Sequence, residues 1–183
     1  MRKWLAVCFT LVFVLGSFAV VYAGDNPLRD QEKKVWQTFR DLIPEDRILS
    51  ADQFYKVYTD VMAGKEKAYL IDVRTHPEFY AGHIPGTDHI HAGHMYTIPK
   101  KIKDPDAKIV IWCRTRHRAT YVTGFLIKYG YKNVYIFDEG VVGWMKAGHE
   151  LCNQFMGKFK VTEYHKNFAG DKDPFNVREF HPY

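Results

Sequence analysis

Residues 109–120 read IVIWCRTRHRAT. Four apolar residues, Ile109, Val110, Ile111 and Trp112, run straight into Cys113, and the five positions that follow hold three arginines and a histidine. The apolar run is too short for a helix and rich in β-branched and aromatic side chains, which predicts a strand buried on both faces of a parallel sheet. The stretch from Arg118 to Tyr129 reads as a helix closed by Gly130. Cys113 is therefore expected where a strand gives way to a helix, and ligand sites of open α/β sheets gather at such carboxyl ends of strands.

The segments on either side repeat the alternation. Val35, Trp36, Phe39, Leu42 and Ile43 recur at helical spacing within the charged segment 26–47, predicting one amphipathic helix that stops before Pro44. Ser50 is a good N-cap for a helix from Ala51 to about Met62, with Gly64 as its stop. Tyr69, Leu70 and Ile71 read as a strand ending at Asp72-Val73-Arg74. Thr75 or His76 caps a short helix that begins at Pro77 and closes at Gly82. Residues 83–99 read as irregular, and residues 100–108 as a polar turn region. Asn133–Phe137 is a further strand, and Gly140–Ala147 a short helix ended by Gly148. Strands alternating with helices predict an α/β fold, a central parallel sheet with helices on both faces.

The loop after the strand carries the chemistry. A thiol acts as a nucleophile in its thiolate form, which nearby cations and a helix N-terminus favour. Arg114, Arg116, His117 and Arg118 surround Cys113 in sequence, and the helix that follows would aim its N-terminus at the sulfur. Successive backbone N–H groups in a tight loop also form an anion nest. A thiolate ringed by arginines implies a small anionic partner. Free cysteines are more often inert core residues, but the strand-end position and the cationic neighbours favour a reactive Cys113 here.

The 183 residues suffice for one domain with extensions. The net charge of +5 is mild, and no lysine- or arginine-rich block suggests a nucleic-acid partner. Arg2 and Lys3 open the chain, no charge recurs before Asp25, and Val21-Tyr22-Ala23 precedes Gly24 as an acceptable cleavage site. Residues 1–23 thus read as a secretory signal peptide. The alternative is an uncleaved anchor, the chain's one link to a membrane, since the 20 apolar residues from Trp4 to Ala23 just span a bilayer. Cleavage removes Arg2, Lys3 and Cys8, so the net charge falls by two to +3 and Cys113 and Cys152 remain. An exported pair of cysteines can form a disulfide; the surroundings of Cys113 speak for reactivity instead. Beyond Asn153 aromatic residues recur without a clean period, as in a tail wrapped over the domain surface, or, alternatively, a homodimer contact.

Three segments in this order, LIDVRTHPEFYAGHIPG (70–86), IVIWCRTRHRAT (109–120) and YGYKNVYIFDEGVVGWMKAGHEL (129–151), carry a resemblance. The chain resembles the single-domain rhodaneses, thiosulfate or polysulfide sulfurtransferases, over about residues 48–152. The resemblance implies a rhodanese-like fold over that span, between a helical extension at 24–47 and a C-terminal extension at 153–183. It implies Cys113 as the catalytic residue, carrying a persulfide, within a six-residue loop, Cys113 to Arg118. Arg114, Thr115, Arg116, His117 and Arg118 would bind the anionic donor. Asp72 and Arg74 would support the site, with Arg74 paired to Glu78 as a structural link. No cofactor and no metal are implied. Sulfur would pass from a small anionic donor to a thiol, cyanide or a protein acceptor, in a periplasmic or otherwise exported protein. The family often has glycine at the fourth loop position, where Arg116 stands, and Ser or Thr after the loop, where Ala119 stands. Arginine at a positive φ would be strained, so the loop is expected either to take another path or to use Arg116 as a substrate contact. A loop this charged is similar to the thiosulfate and polysulfide branch rather than the mercaptopyruvate branch.

Three rivals follow from the same residues. A related phosphatase architecture needs one more loop residue and an arginine at position 119, which is alanine. A carrier that holds sulfur for a membrane respiratory complex without turnover would look the same at Cys113. His83, His89, His91 and His94 fall close together, as metal ligands can, but no carboxylate or cysteine stands at matching spacing.

Overall fold

The computed structural model describes residues 27–161. The signal-peptide reading of residues 1–23, and residues 162–183 of the C-terminal extension, lie outside the described residues. The chain divides into two compact units, Met1–Thr38 and Phe39–Tyr183. Of the first, the described part is the start of helix α1 (Pro27–Arg40), where Lys33 pairs with Asp30 at 3.2 Å.

The second unit is built on five strands: β1 (Ile48–Leu49), β2 (Tyr69–Asp72), β3 (Asp88–His89), β4 (Ile109–Trp112) and β5 (Val134–Phe137). All are parallel, in the order β1-β5-β4-β2-β3. Five helices are described beside α1: α2 (Ala51–Met62), α3 (His76–Ala81), α4 (Ile98–Lys101), α5 (His117–Lys128) and α6 (Gly140–Lys146). The predicted parallel α/β sheet is what the chain forms.

β4 lies at the centre and is buried along its whole length. Because side chains alternate across a sheet, it serves two cores. Ile109 and Ile111 pack with Ala119, Val122 and Leu126 of α5 and with Ile98 of α4. Val110 and Trp112 pack on the other face with Phe54 of α2 and Val141 and Trp144 of α6. An unbroken apolar run is the pattern for a strand covered on both faces.

The helix ends follow local chemistry. Ser50 and Gln53 form a reciprocal capping box that starts α2, and Thr75 and Glu78 form another that starts α3. α1 stops at Arg40, short of the expected Pro44. There the Leu42 and Ile43 N–H groups donate to Phe39 and Arg40, one residue nearer than in an α-helix, and tighten the end into a turn. Gly82 is not the left-handed cap expected of it, since its φ of 173° is extended backbone. Its lack of a side chain serves packing: a Cβ there would lie 2.8 Å from the Phe159 ring and 3.2 Å from Leu151. Those two residues belong to a hairpin absent from the sequence reading, β6 (Leu151–Asn153) and β7 (Gly157–Phe159). The stretch read as irregular also holds β3 and a 3-10 turn at Ala92–Thr97.

Candidate active site

Cys113 follows β4 directly and is 1% exposed, packed in the core that Ile111 and Val122 share. Arg116 is the N-cap residue of α5 and His117 its first residue, so Cys113 stands between the end of a strand and the start of a helix. The seat of the loop is Gly140, at a φ of +57°. The Val141 and Val142 N–H groups of α6 donate to the Cys113 and Arg114 carbonyls at 3.0 and 3.1 Å. A Cβ on Gly140 would stand 2.5 to 2.8 Å from the carbonyl oxygens of Cys113, Arg114 and Thr115, so those three carbonyls converge on α6. In a trans peptide the C=O of one residue and the N–H of the next point in opposite directions. The N–H groups of Arg114, Thr115 and Arg116 therefore turn away from α6, the direction an anion nest in this loop would need. Arg116 adopts φ −126° and ψ −32°. The loop thus takes a path that carries arginine without a positive φ, the first of the two alternatives its sequence left open.

The arginines do not form an unpaired cationic ring. Arg118 makes a two-pronged contact with Glu78, at 2.6 and 2.8 Å, which holds its guanidinium above the ordinary arginine value against the effect of burial, with Cys113 adding to it. Arg116 pairs with Asp138 at 3.0 Å. Arg74 does not pair with the Glu78 carboxylate as the resemblance implied. Its guanidinium grips the buried Asp72 carboxylate, with a closest contact of 2.6 Å, and donates to the backbone carbonyls of Glu78 and Gly82. Asp72 is the ladder neighbour of Trp112, so this buried pair braces the carboxyl end of the sheet beside Cys113 and ties α3 to it through the Glu78 and Gly82 carbonyls. Glu78 is one turn into α3, which is how it reaches Arg118.

Burial pushes the Glu78 carboxyl up, but hydrogen bonds from Arg118 and from the Thr75 hydroxyl and N–H outweigh it, with the Arg118 charge, and bring its pKa to about 2. A carboxyl held below its unfolded value stabilises the fold fully above the unfolded pKa and loses that contribution as pH falls through the folded one. With both partners about one-third exposed, solvent screening leaves roughly 1–2 kcal/mol. Glu78→Gln is expected to lower stability by that amount at pH 7. The gap should narrow below pH 4.5, the carboxyl's ordinary value, and close near pH 2. Denaturant midpoints of both proteins across this range check it.

Residues 55–147, half of the chain, match the family described as the rhodanese-like domain. The chain belongs to the rhodanese-like family. A sulfurtransferase from Allochromatium vinosum is 29% identical over 89 residues, which cover 48% of this chain and 80% of that protein. The thiosulfate sulfurtransferase GlpE of Pseudomonas fluorescens is 26% identical over 80 residues, 44% of this chain and 72% of that one. Among solved structures, the polysulfide-sulfur transferase homodimer of Wolinella succinogenes shares the fold with a TM-score of 0.53 at 21% identity, covering 75% of this chain and 93% of that one.

Within this rhodanese domain the remaining loop residues differ in placement. Thr115, Arg116 and His117 are exposed, and Arg114 is half-buried. The His117 ring meets Tyr121 edge-on at 5.6 Å. Cys113 and Cys152 are both free thiols. Cys152 belongs to the hairpin, with its sulfur 3.3 Å from Nε2 of His83, whose Nδ1–H donates to the Phe79 carbonyl. Burial pushes the Cys152 thiol up, with Lys158 opposing. Among the described residues, no three His, Cys, Asp or Glu are grouped to hold a metal ion. Sequence reasoning missed Asp138 and Gly140 as parts of the site and gave Glu78 the wrong partner. The DEG triplet at 138–140 was the available signal, since a glycine directly after a strand and an acidic pair marks a constrained turn.

Proposed function

We propose that this rhodanese is an exported sulfurtransferase that moves sulfane sulfur from thiosulfate or polysulfide through a persulfide on Cys113. The Cys113 thiolate attacks the outer sulfur of the donor. A new S–S bond forms to Cys113, the donor's S–S bond breaks, and sulfite or a shortened polysulfide leaves with the electron pair. A thiophilic acceptor such as cyanide then attacks the outer sulfur and releases the Cys113 thiolate. Arg118 supplies charge at the inner sulfur, and the inward-facing loop N–H groups receive the negative charge of the outer one. The observation that supports this reading is the loop itself, with three carbonyls drawn to α6 and the opposed N–H groups turned away from it. Relatives named for sulfur transfer support the reaction class, and the basic, signal-like start of the sequence supports export.

Intact-protein mass spectrometry tests it. Thiosulfate should add one sulfur atom to Cys113 and cyanide should remove it, over many cycles. A single equivalent with no turnover would make the protein a carrier. Hydrolysis of an aryl phosphate without a sulfur adduct would overturn the reading. The same spectra report whether residues 1–23 are removed on secretion.

A further inference from the structure

The histidines that the cysteine loop leaves without a role come together in a place of their own. His76 of α3, His89 of β3, His91, His94 and Tyr96 in and beside the 3-10 turn, and Lys101 at the end of α4 line most of an open cavity of about 320 Å³. No residue from Cys113 to Arg118 lines it, so it is separate from the candidate active site. The four rings stand in a row, His89, His76, His91 and His94, with neighbouring centroids 4.8, 6.0 and 5.8 Å apart.

Charge balance sets this cavity apart from the rest of the domain. Arg74, Lys108, Arg116 and Arg118 each hold a carboxylate of their own, from Asp72, Glu66, Asp138 and Glu78. No carboxylate lines the cavity, and neither its four histidines nor Lys101 makes an ion pair with a described residue. Two of the rings are oriented by the backbone. The His89 Nε2–H donates to the Arg74 carbonyl at 2.8 Å. The His91 Nδ1 accepts the Gly93 N–H at 3.3 Å, so the neutral ring carries its proton on Nε2 as a donor. Burial holds His91 below the usual imidazole range, and the charges of His94, His76, His89 and Arg118 add to that. These groups face it from the 3-10 turn, α3, β3 and α5, with Arg118 itself paired to Glu78. Lys101 and Tyr96 are the other titratable groups of the lining. Each charge that depresses His91 is positive, and a bound anion would offset all of them.

We propose that this cavity is a second anion site, which takes a small organic molecule bearing two or more carboxylate, sulfonate or phosphate groups and holds it more tightly as the imidazoles take up protons. The row of rings and the Lys101 ammonium offer more donors than one oxyanion can engage. The volume, at the lower end of the ~300–1,000 Å³ range of organic ligand sites, suits such a molecule. A ligand that favours the charged rings raises their pKa, so its binding takes up protons and strengthens as pH falls through the imidazole range, about 6.5. The site depends neither on Cys113 nor on the sulfurtransferase reading.

Benzene-1,3-disulfonate is the probe, because its own charge does not change with pH in this range. Calorimetry on the full chain should show saturable binding that tightens by about tenfold between about pH 7.5 and pH 5.5. His91→Gln keeps a hydrogen-bond donor but cannot be charged, so it should flatten the pH dependence. His91→Gln together with Lys101→Met should weaken binding by about tenfold at the lower pH. Arg116→Gln, in the cysteine loop, should leave the affinity for the probe and its pH dependence as they were. Absence of saturation at the lower pH, an affinity indifferent to pH, or one unmoved by the two cavity substitutions overturns the proposal. Binding lost in Arg116→Gln but kept in the cavity variants would put the anion at the cysteine loop, and overturns it as well.

Discussion

Serine in place of Cys113 abolishes sulfur transfer, whereas serine in place of Cys152 leaves most of it. The first result follows from the chemistry of the atom. A serine hydroxyl is not ionised near neutral pH and forms no persulfide, so the covalent route is closed, and removing a nucleophile of this kind costs about 10³-fold or more. The fold should survive, because the side chain is nearly isosteric and its backbone carbonyl still accepts from Val141. The second result follows from placement. Cys152 belongs to β6, and its sulfur is engaged with His83, not with the Cys113 loop. Steady-state thiocyanate formation by each variant decides the matter. Equal damage from both substitutions would require sulfur to pass between the two thiols.

What the sequence disclosed and what it hid divide by the range of the interactions. The β4 run was legible because burial on both faces leaves a continuous apolar stretch, and Cys113 could be placed at its end without any knowledge of neighbours. Ser50 was legible as a cap because its partner, Gln53, is three residues away. The partners of the loop arginines were not, because nothing near Arg118 in sequence points to Glu78, and the two meet only when α3 packs across the end of the sheet. Arg74 was assigned to Glu78 through resemblance, but with Asp72 two residues away on the same strand end, the shorter reach wins and Glu78 is left for Arg118. β3 escaped notice because two residues on a sheet edge carry no periodicity. The 151–159 hairpin escaped because its strands are three residues each and Gln154, Phe155 and Met156 between them read as tail. Such short elements form because a neighbouring surface already exists, in this case Gly82 held bare for Leu151 and Phe159.

Alanine in place of Gly140 should be as damaging to transfer as a change within the cysteine loop, although this residue touches no substrate. At a φ of +57° an alanine pays roughly 1 kcal/mol for the left-handed backbone alone. Its methyl would also meet three carbonyl oxygens at 2.5 to 2.8 Å, and backbone oxygens cannot rotate aside as a side chain does. Either α6 withdraws or the loop does, and both break the bonds from Val141 and Val142 that hold the carbonyls of Cys113 and Arg114 outward. The expected loss is about 2–4 kcal/mol of stability. Where the protein remains folded, transfer should fall by about 100-fold, because the N–H groups no longer converge beside the sulfur. Gly148→Ala separates the two causes. Gly148 has a φ of +80°, but nothing lies within 4 Å of its Cβ position. It should cost about 1 kcal/mol and leave the transfer rate of the folded protein as it was. Denaturant midpoints and single-turnover rates of the two variants, measured where both are fully folded, distinguish simple backbone strain from a displaced loop. If Gly140→Ala turns over like Gly148→Ala, the seat on α6 does not shape the site.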